Sequence, residues 1–531
     1  MLFDTTICAP ASAPGGAISL IRVSGEKALE YVDTIFAPAA ADASPLASAK
    51  GWTLHYGNIM DGGSVIDDVV VSVFRAPHSY TGENMAEISC HGSNYIVGRI
   101  MDLLVSCGAQ SALPGEFTKR AFVNGKMDLA QAEAVADLIA AETAGAHRVG
   151  LSQLKGGFSG ELSQMREAML HIASLMELEL DFSEEEVEFA DRSELAALVD
   201  SSLEHINRLI DSFSLGNALK NGVPVAIVGA TNSGKSTLLN ALLGEERAIV
   251  SDIAGTTRDT IEECLNLGGI QFRFIDTAGI RETSDKIESI GIERSFKALA
   301  NATVVIGVID GLIVRKDFLK AAREIISRIS PNQKLLLVRN KVDMYDVINP
   351  EEFPTHDRSY GFLEIKYTAF GTYDCTPEEL AAELGIDRLY DISAATGYGL
   401  DALREAILAS VCGNLAAASA SGSGAPASGS AASGASVTLV TNARHLEALR
   451  NAASALSRLR SGLGSCGAPA PASFASDSVH GASTPVGAQQ VPTDLLAQDL
   501  REALYHLGTI TGEITTDEVL GNIFSKFCIG K

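Results

Sequence analysis

The residues Gly229-Ala230-Thr231-Asn232-Ser233-Gly234-Lys235-Ser236 fit the pattern G-x-x-x-x-G-K-[ST], a spacing suited to holding a polyphosphate. Glycines let successive backbone N–H groups curl around phosphate oxygens, and a helix starting where the pattern ends adds the positive end of its dipole. Lys235 can reach the β- and γ-phosphates, and the Ser236 hydroxyl can ligate Mg²⁺. The pattern follows a strand-like run, Val225–Val228, and precedes a helical one, Thr237–Leu243. That is the setting this chemistry needs.

Three further motifs follow in order. Asp276-Thr277-Ala278-Gly279 ends a strand-like run, where its carboxylate can hold the Mg²⁺ shell and its glycine amide can sense a γ-phosphate. Asn340-Lys341-Val342-Asp343 follows the run Leu335–Val338. Asp343 can accept from N1–H and the 2-amino group of guanine, an edge that adenine does not present. Ser393-Ala394 follows the next run and would back the base. Between the first two motifs lies Gly255-Thr256-Thr257-Arg258-Asp259, where Thr257 can give Mg²⁺ a second hydroxyl. Four motifs in register point to GTP rather than ATP. One absence is informative. Many GTPases place a water-orienting Gln directly after the D-x-x-G element, but here that position is Ile280, which cannot polarise water. Glu288, a few residues on, is an acid that could swing in to replace it. Positive charge for the developing phosphate oxygens can come from Arg258, from Arg281, or from a monovalent cation ligated by Asn232 with carbonyls of the 255–259 region.

The elements that must position these residues are visible as changes of pattern. Residues 1–122 alternate short apolar runs (Ala17–Val23, Val69–Phe74) with Gly, Pro, Asn and Asp, which predicts an α+β domain. From Met127 the period becomes helical, with Met127, Ala130, Ala134, Leu138 and Ala141 on one stripe. Val225–Val228, Ile270–Ile275, Val304–Ile309, Leu335–Val338 and Leu389–Ile392 then alternate with helical stretches, the rhythm of a mainly parallel sheet. Helical character returns over His445–Leu459, Leu495–Leu507 and Thr516–Phe527. An α/β unit inserted in a helical domain is expected. Residues 413–436 and 461–490 are so rich in Ala, Ser, Gly and Pro that they read as a flexible linker and a flexible insertion.

Composition narrows the class. The chain has 531 residues, enough for about three domains. Its 41 basic and 66 acidic residues give a net charge of −25, so a polynucleotide would need a local basic patch or a more basic partner. The eight cysteines contain no C-x-x-C pair, which argues against a disulfide scaffold or structural zinc. No long uninterrupted apolar run suggests a membrane span, and the opening residues lack the basic segment of a secretory signal. A cytoplasmic location is expected.

Beside these motifs, three other segments carry a resemblance. Pro114-Gly115-Glu116-Phe117-Thr118-Lys119-Arg120-Ala121-Phe122, Asp128-Leu129-Ala130-Gln131-Ala132-Glu133-Ala134 and Phe527-Cys528-Ile529-Gly530-Lys531 closely resemble the MnmE (also TrmE) family of bacterial and organellar tRNA-modification GTPases. The resemblance runs from Thr6 to Lys531, interrupted by the Ala/Ser/Gly insertions, and nothing is carried over onto 344–390. It implies a multidomain α/β and α+β fold: an N-terminal α+β folate-binding domain at 1–122, a discontinuous helical domain at 123–215 and 437–531, and an inserted Ras-like P-loop GTPase domain at 216–412. It implies a homodimer and K⁺-activated hydrolysis of GTP, with G domains that dimerise across the nucleotide. It further implies joint action with the FAD-dependent partner MnmG, in a heterotetramer. Together they would add a carboxymethylaminomethyl or aminomethyl group to carbon 5 of the wobble uridine (U34) of certain tRNAs. A reduced folate, 5-formyl- or methylenetetrahydrofolate, would be the one-carbon source.

The resemblance also implies site residues. Arg22, Glu87, Lys126 and Lys531 match the family's folate contacts; a carboxylate such as Glu87 suits an amino-pyrimidine edge, and Arg22 and the lysines suit an anionic glutamyl tail. Asn232, Ser251, Ile253 and Thr256 match its K⁺ ligands, and Glu288 its water-orienting acid. The GTP contacts it implies are Asn232, Ser233, Gly234, Lys235, Ser236 and Thr237, then Ser251, Asp252, Ile253, Ala254, Gly255, Thr256 and Thr257. They continue with Asp276, Thr277, Ala278, Gly279, Asn340, Lys341, Asp343, Ser393 and Ala394. Ser236 and Thr257 would hold Mg²⁺. Ser251 stands where the family more often has Thr, and Thr231 where it has Pro. A different class, a regulatory GTPase of ribosome assembly, would share the four nucleotide motifs but not the N-terminal segment or the closing residues. Cys528 reads as a structural or recognition group, and His91 as a packing residue.

Overall fold

Val69, Val71 and Val73 are buried while Asp68 and Val70 face outward, the two-residue period of a strand covered on one side. In the computed structural model the described residues are 4–13, 15–40, 44–181, 192–244, 263–275, 299, 301–345, 375–420, 438–464, 492–525, 527 and 530. The first sheet contains β1 (Ile7–Pro10), β2 (Ile18–Ser24), β3 (Phe36–Pro38), β4 (Thr53–Asp61), β5 (Ser64–Phe74), β6 (Met85–His91) and β7 (Gln110–Ser111). Their order is β3-β4-β5-β6-β2-β1-β7, antiparallel throughout except for β1 with β7. Two helices cover one face. In α1 (Ala28–Ile35), Ala28, Leu29, Val32 and Ile35 are buried, a one-sided helical stripe. With α2 (Asn94–Ser106) they close a core around Ile21, Val23, Ile59, Val71, Ile88, Ile100 and Leu104.

The expected stripe from Met127 forms a shorter helix. After α3 (Glu116–Val123), α4 runs only over Leu129–Ile139, because Asp128 and Gln131 make a reciprocal capping box that fixes its start. Ala130 and Ala134 are buried on it; Met127 precedes it and Ala141 lies beyond its end. Three helices follow: α5 (Ala144–Leu154), α6 (Gly157–Asp181) and α7 (Arg192–Asn221).

The second sheet is built as the strand-like runs suggested. It contains β8 (Val223–Val228), β9 (Glu263–Leu267), β10 (Ile270–Phe274), β11 (Val304–Asp310), β12 (Lys334–Asn340) and β13 (Leu389–Asp391), in the order β13-β12-β11-β8-β10-β9. All pairs are parallel except β9 with β10. Val304–Ile309 is buried without a break, as a strand in the middle of a parallel sheet must be. The helices of this unit are α8 (Lys235–Leu243), α9 (Arg315–Ile326), α10 (Pro377–Leu384) and α11 (Leu400–Ala420). The last extends past the expected domain end at 412 into the Ala-rich segment. Alanine loses no side-chain entropy on becoming helical, so Leu415–Ala420 continues a helix already nucleated.

The chain closes with α12 (Ala443–Gly464), α13 (Thr493–Thr511) and α14 (Asp517–Phe524). Helix α12 packs on α13, α13 on α6 and α4, and α14 on α3. Contacts divide the chain into two compact units: 1–140 with 150–207 and 443–531, and 141–149 with 208–442. Phe122, Leu129, Ala132, Leu520, Phe524 and Phe527 share one apolar cluster, which packs the helical segments from before and after the second sheet's unit against each other. Among the described residues, no helix is long and apolar enough to cross a membrane.

Candidate functional site

In the second unit, the loop between β8 and α8 has the curl that phosphate binding needs. Asn232 at φ 62° and Gly234 at φ 97° both sit in the left-handed region. The Lys235 ammonium folds back onto the carbonyls of Gly229 (3.0 Å) and Ala230 (2.8 Å), and burial pushes its pKa down. An ammonium desolvated against neutral carbonyls gains strongly from an approaching anion. Ser236 lies in the first turn of α8, and its hydroxyl takes no partner among the described residues, so it is free to ligate a cation. Thr237 follows it on the exposed side of the helix.

Asn340, the last residue of β12, is only 2% exposed and works as a strut. Its Nδ2 donates to the Ser233 carbonyl (2.9 Å) and its Oδ1 accepts from the Ala394 N–H (3.0 Å). One side chain thus joins the phosphate loop, the base-reading loop and the Ser393-Ala394 loop. The approach is close enough that a Cβ on Gly234 would lie 2.1 Å from Asn340 Nδ2, which only glycine avoids. Buried Ser393 is held by its own turn: its N–H donates to the Tyr398 carbonyl, and its hydroxyl accepts from the Thr396 N–H. Asp343 stands in the 3₁₀ turn Val342–Tyr345, half-buried, and its carboxylate has no partner among the described residues. Lys341 has φ 70° and places Nζ 2.7 Å from Asp310 Oδ2. Behind these loops the Arg339 guanidinium grips Asp391 from β12 to β13, with bonds of 2.6 and 2.5 Å, and also donates to the Cys375 carbonyl (3.1 Å).

Ser251, Asp252, Ile253, Ala254, Gly255, Thr256, Thr257, Asp276, Thr277, Ala278, Gly279 and Glu288 lie outside the described residues, as do Cys528 and Lys531.

The first unit gathers a second cluster on the open face of its sheet. Arg22 on β2 stands opposite Glu87 on β6 in the strand register. Its Nε and Nη2 both donate to Glu87 Oε1 (2.9 and 2.8 Å), and Glu87 Oε2 keeps no partner among the described residues. The guanidinium lies over the rings of Tyr80 (5.1 Å) and Phe117 (5.6 Å). Its Nη1 donates to the Gly530 carbonyl (3.2 Å), although the two residues are 508 apart in sequence. Gly530 sits tight there, since a Cβ on it would fall 2.1 Å from the Pro10 carbonyl. Lys126 Nζ donates to the Pro77 carbonyl (3.0 Å), on the segment that carries Tyr80. Glu83 and Arg120 pin that segment from beneath: Arg120, fully buried, pairs with Glu83 (3.2 Å) and Glu116 (2.9 Å). His91 pairs through Nδ1 with Asp67 (2.8 Å). Sequence reasoning had not singled out Tyr80, Phe117, Asp310 or Arg339. Only Asp310 carried a signal, as an acid at the carboxyl end of a parallel strand, where α/β sheets place ligands.

A parallel sheet with the phosphate loop after β8, the Asn-Lys-Val-Asp loop after β12 and the Ser-Ala loop after β13 defines a P-loop GTPase. Comparison with known proteins narrows this. Residues 6–126 match the family model "GTP-binding protein TrmE N-terminus", and residues 129–528 match "MnmE helical domain". The tRNA modification GTPase MnmE of Parabacteroides distasonis is 47% identical over 532 residues, covering 99% of this chain and 100% of the relative. That of Bacteroides fragilis is 46% identical over 526 residues, covering 99% of each. That of Christiangramia forsetii is 45% identical over 535 residues, covering 100% of each. The chain belongs to the MnmE family of tRNA modification GTPases.

Proposed function

We propose that this chain is a K⁺-activated, Mg²⁺-dependent GTPase of the cytoplasm that works as a homodimer with the FAD-dependent protein MnmG. The pair would add a carboxymethylaminomethyl or aminomethyl group to carbon 5 of U34 in certain tRNAs. Bound reduced folate supplies the one-carbon unit. Arg22, Glu87, Lys126 and Lys531 would hold it, with Glu87 Oε2 open to the amino-pyrimidine edge and the partly exposed Tyr80 ring offering flat apolar surface, while buried Phe117 backs Arg22 from the core. Arg22 and Glu87 act as one paired unit rather than as separate grips on the two ends of the ligand.

For GTP, Lys235 and the 229–236 backbone would hold phosphates, Ser236 and Thr257 Mg²⁺, and Asp343 the guanine edge. Asn232, Ser251, Ile253 and Thr256 would hold K⁺, and Glu288 would orient the attacking water. A homodimer agrees with the open face of the first sheet, where Trp52, Leu54, Tyr56 and Ile18 stand exposed.

The observation that carries the modification reading is the Gly530 carbonyl on Arg22, which joins the closing residues to the Arg22–Glu87 cluster. Deleting residues 527–531 should abolish U34 modification in a reconstituted reaction with MnmG, tRNA, folate and GTP. GTP turnover in the same samples should fall far less. A deleted protein that modifies U34 at the normal rate would sink the assignment.

A further inference from the structure

The Lys341 side chain is the part of the base-reading loop whose position most needs explaining. It is a non-glycine residue in left-handed backbone, a conformation that costs about 1 kcal/mol and persists only where the surroundings hold it. What holds its side chain is Asp310. The β11–β12 register sets Asp310 directly beside Asn340, so the acid and the start of the Asn-Lys-Val-Asp loop leave the sheet together. Asp310 Oδ1 accepts from the Leu312 N–H (2.9 Å), which fixes the plane of the carboxylate. Oδ2 accepts from Lys341 Nζ (2.7 Å). The next residue, Gly311, donates its N–H to the Asn340 carbonyl (2.9 Å), so the two loops are also tied through backbone. The pair is about three-quarters buried on both sides, at 29% and 22% exposure, so solvent screens it only in part.

We propose that Asp310 is a positioning residue for the guanine pocket: by holding the Lys341 ammonium it stretches the lysine's four-carbon stem into a fixed apolar surface beside Asp343, against which the guanine ring lies. A free lysine would sample many rotamers and lose that entropy on each binding event. With the ammonium anchored, the stem is already in place, and Asp343 alone has to read the base edge. The inference rests on the reading of Asp343 as the guanine contact.

Equilibrium titrations of the full chain with fluorescent GDP and GTP test it. Asp310→Asn keeps the shape and the bond to Leu312 but removes the charge. It should weaken both nucleotides by about five- to tenfold, the size of a partly screened charge-assisted hydrogen bond. The loss should appear in KM rather than in kcat, and Asp310→Glu should recover most of it. In a double-mutant cycle, Asp310→Asn added to Lys341→Met should cost little more than Lys341→Met alone. Unchanged affinity in Asp310→Asn overturns the proposal, and so do additive losses in the cycle, which would mean that Asp310 acts on the fold and not through Lys341. Asp343→Asn is the separate control. If it fails to shift preference from GTP toward xanthosine triphosphate, the base reading falls, whatever Asp310 does.

Discussion

Asn340 uses one N–H and the oxygen of its amide on the backbone of two other loops, which leaves one N–H for a ligand. Its first task is to assemble the pocket. Asp343, with no partner among the described residues, is the group that we propose reads guanine. The same economy applies to the attacking water. Ile280 cannot orient it, so on the proposed reading Glu288 would take that task, with K⁺ supplying charge that a side chain would otherwise bring. Glu288→Ala should then slow GTP turnover by about 10²-fold, the ordinary worth of a general acid–base group, with nucleotide affinity nearly unchanged. Turnover of the parent protein should also be faster in K⁺ than in Na⁺. Steady-state hydrolysis in both salts decides: equal rates for mutant and parent remove Glu288 from this role, and equal rates in the two salts remove the cation. Motif residues were legible because their chemistry is written within eight residues of chain. Asp310 and Arg339 were not, because each acts on a partner that only strand pairing brings near. Tyr80 and Phe117 were hidden for the same reason, being ordinary aromatics until the fold sets them over Arg22.

Among elements, the buried parallel strands were the easiest to read, since an unbroken apolar run such as Val304–Ile309 has few other homes. The edge strand β9 went unread: Glu263–Leu267 is half polar and is held by pairing with β10 rather than by its own pattern. The Asp128–Gln131 capping box was visible in the sequence and would have placed the start of α4 correctly. Helix α4 also carries the acid of a buried cluster that no spacing rule foretells. Glu133 accepts from Arg444 Nε and Nη2 (3.0 Å each) and pairs with His445 Nε2 (2.7 Å), tying α4 to α12, while Arg444 also donates to the Thr509 and Ile510 carbonyls of α13. Burial alone would raise the Glu133 pKa, but the bonds and charges of His445 and Arg444 outweigh it and bring the pKa down to about 2. A depressed folded-state pKa gives stability that is complete above the ordinary value of 4.5 and is lost as pH falls from there toward about 2. The shift corresponds to about 3 kcal/mol at neutral pH. Glu133→Gln should therefore lower stability at pH 7 by roughly that amount and flatten the acid limb between pH 4.5 and pH 2. Urea unfolding at a series of pH values would show it, and an acid limb as steep as the parent's would rule the cluster out as its source.

At the scale of the molecule, the chain's contacts fall into two units whose sequences interleave, with 208–442 interrupting the first. Each proposed small-molecule site draws its described residues from one unit only. Asn232, Lys235, Ser236, Asn340, Lys341, Asp343, Ser393 and Ala394 belong to the second, and Arg22, Glu87 and Lys126 to the first, which also contains Lys531. A ligand that binds only the folded form of a unit stabilises that unit by RT ln(1 + [L]/Kd), about 2.7 kcal/mol at a hundredfold excess over Kd, and leaves an independent unit alone. Calorimetry of the full chain should accordingly resolve two unfolding transitions. GDP with Mg²⁺ should raise one of them and 5-formyltetrahydrofolate the other, by amounts that grow with the logarithm of concentration. The two shifts should also add when both ligands are present, since the described residues proposed for each site come from one unit. If GDP and the folate move the same transition, or the chain melts in a single step that both ligands raise together, the sites are not housed in separable units.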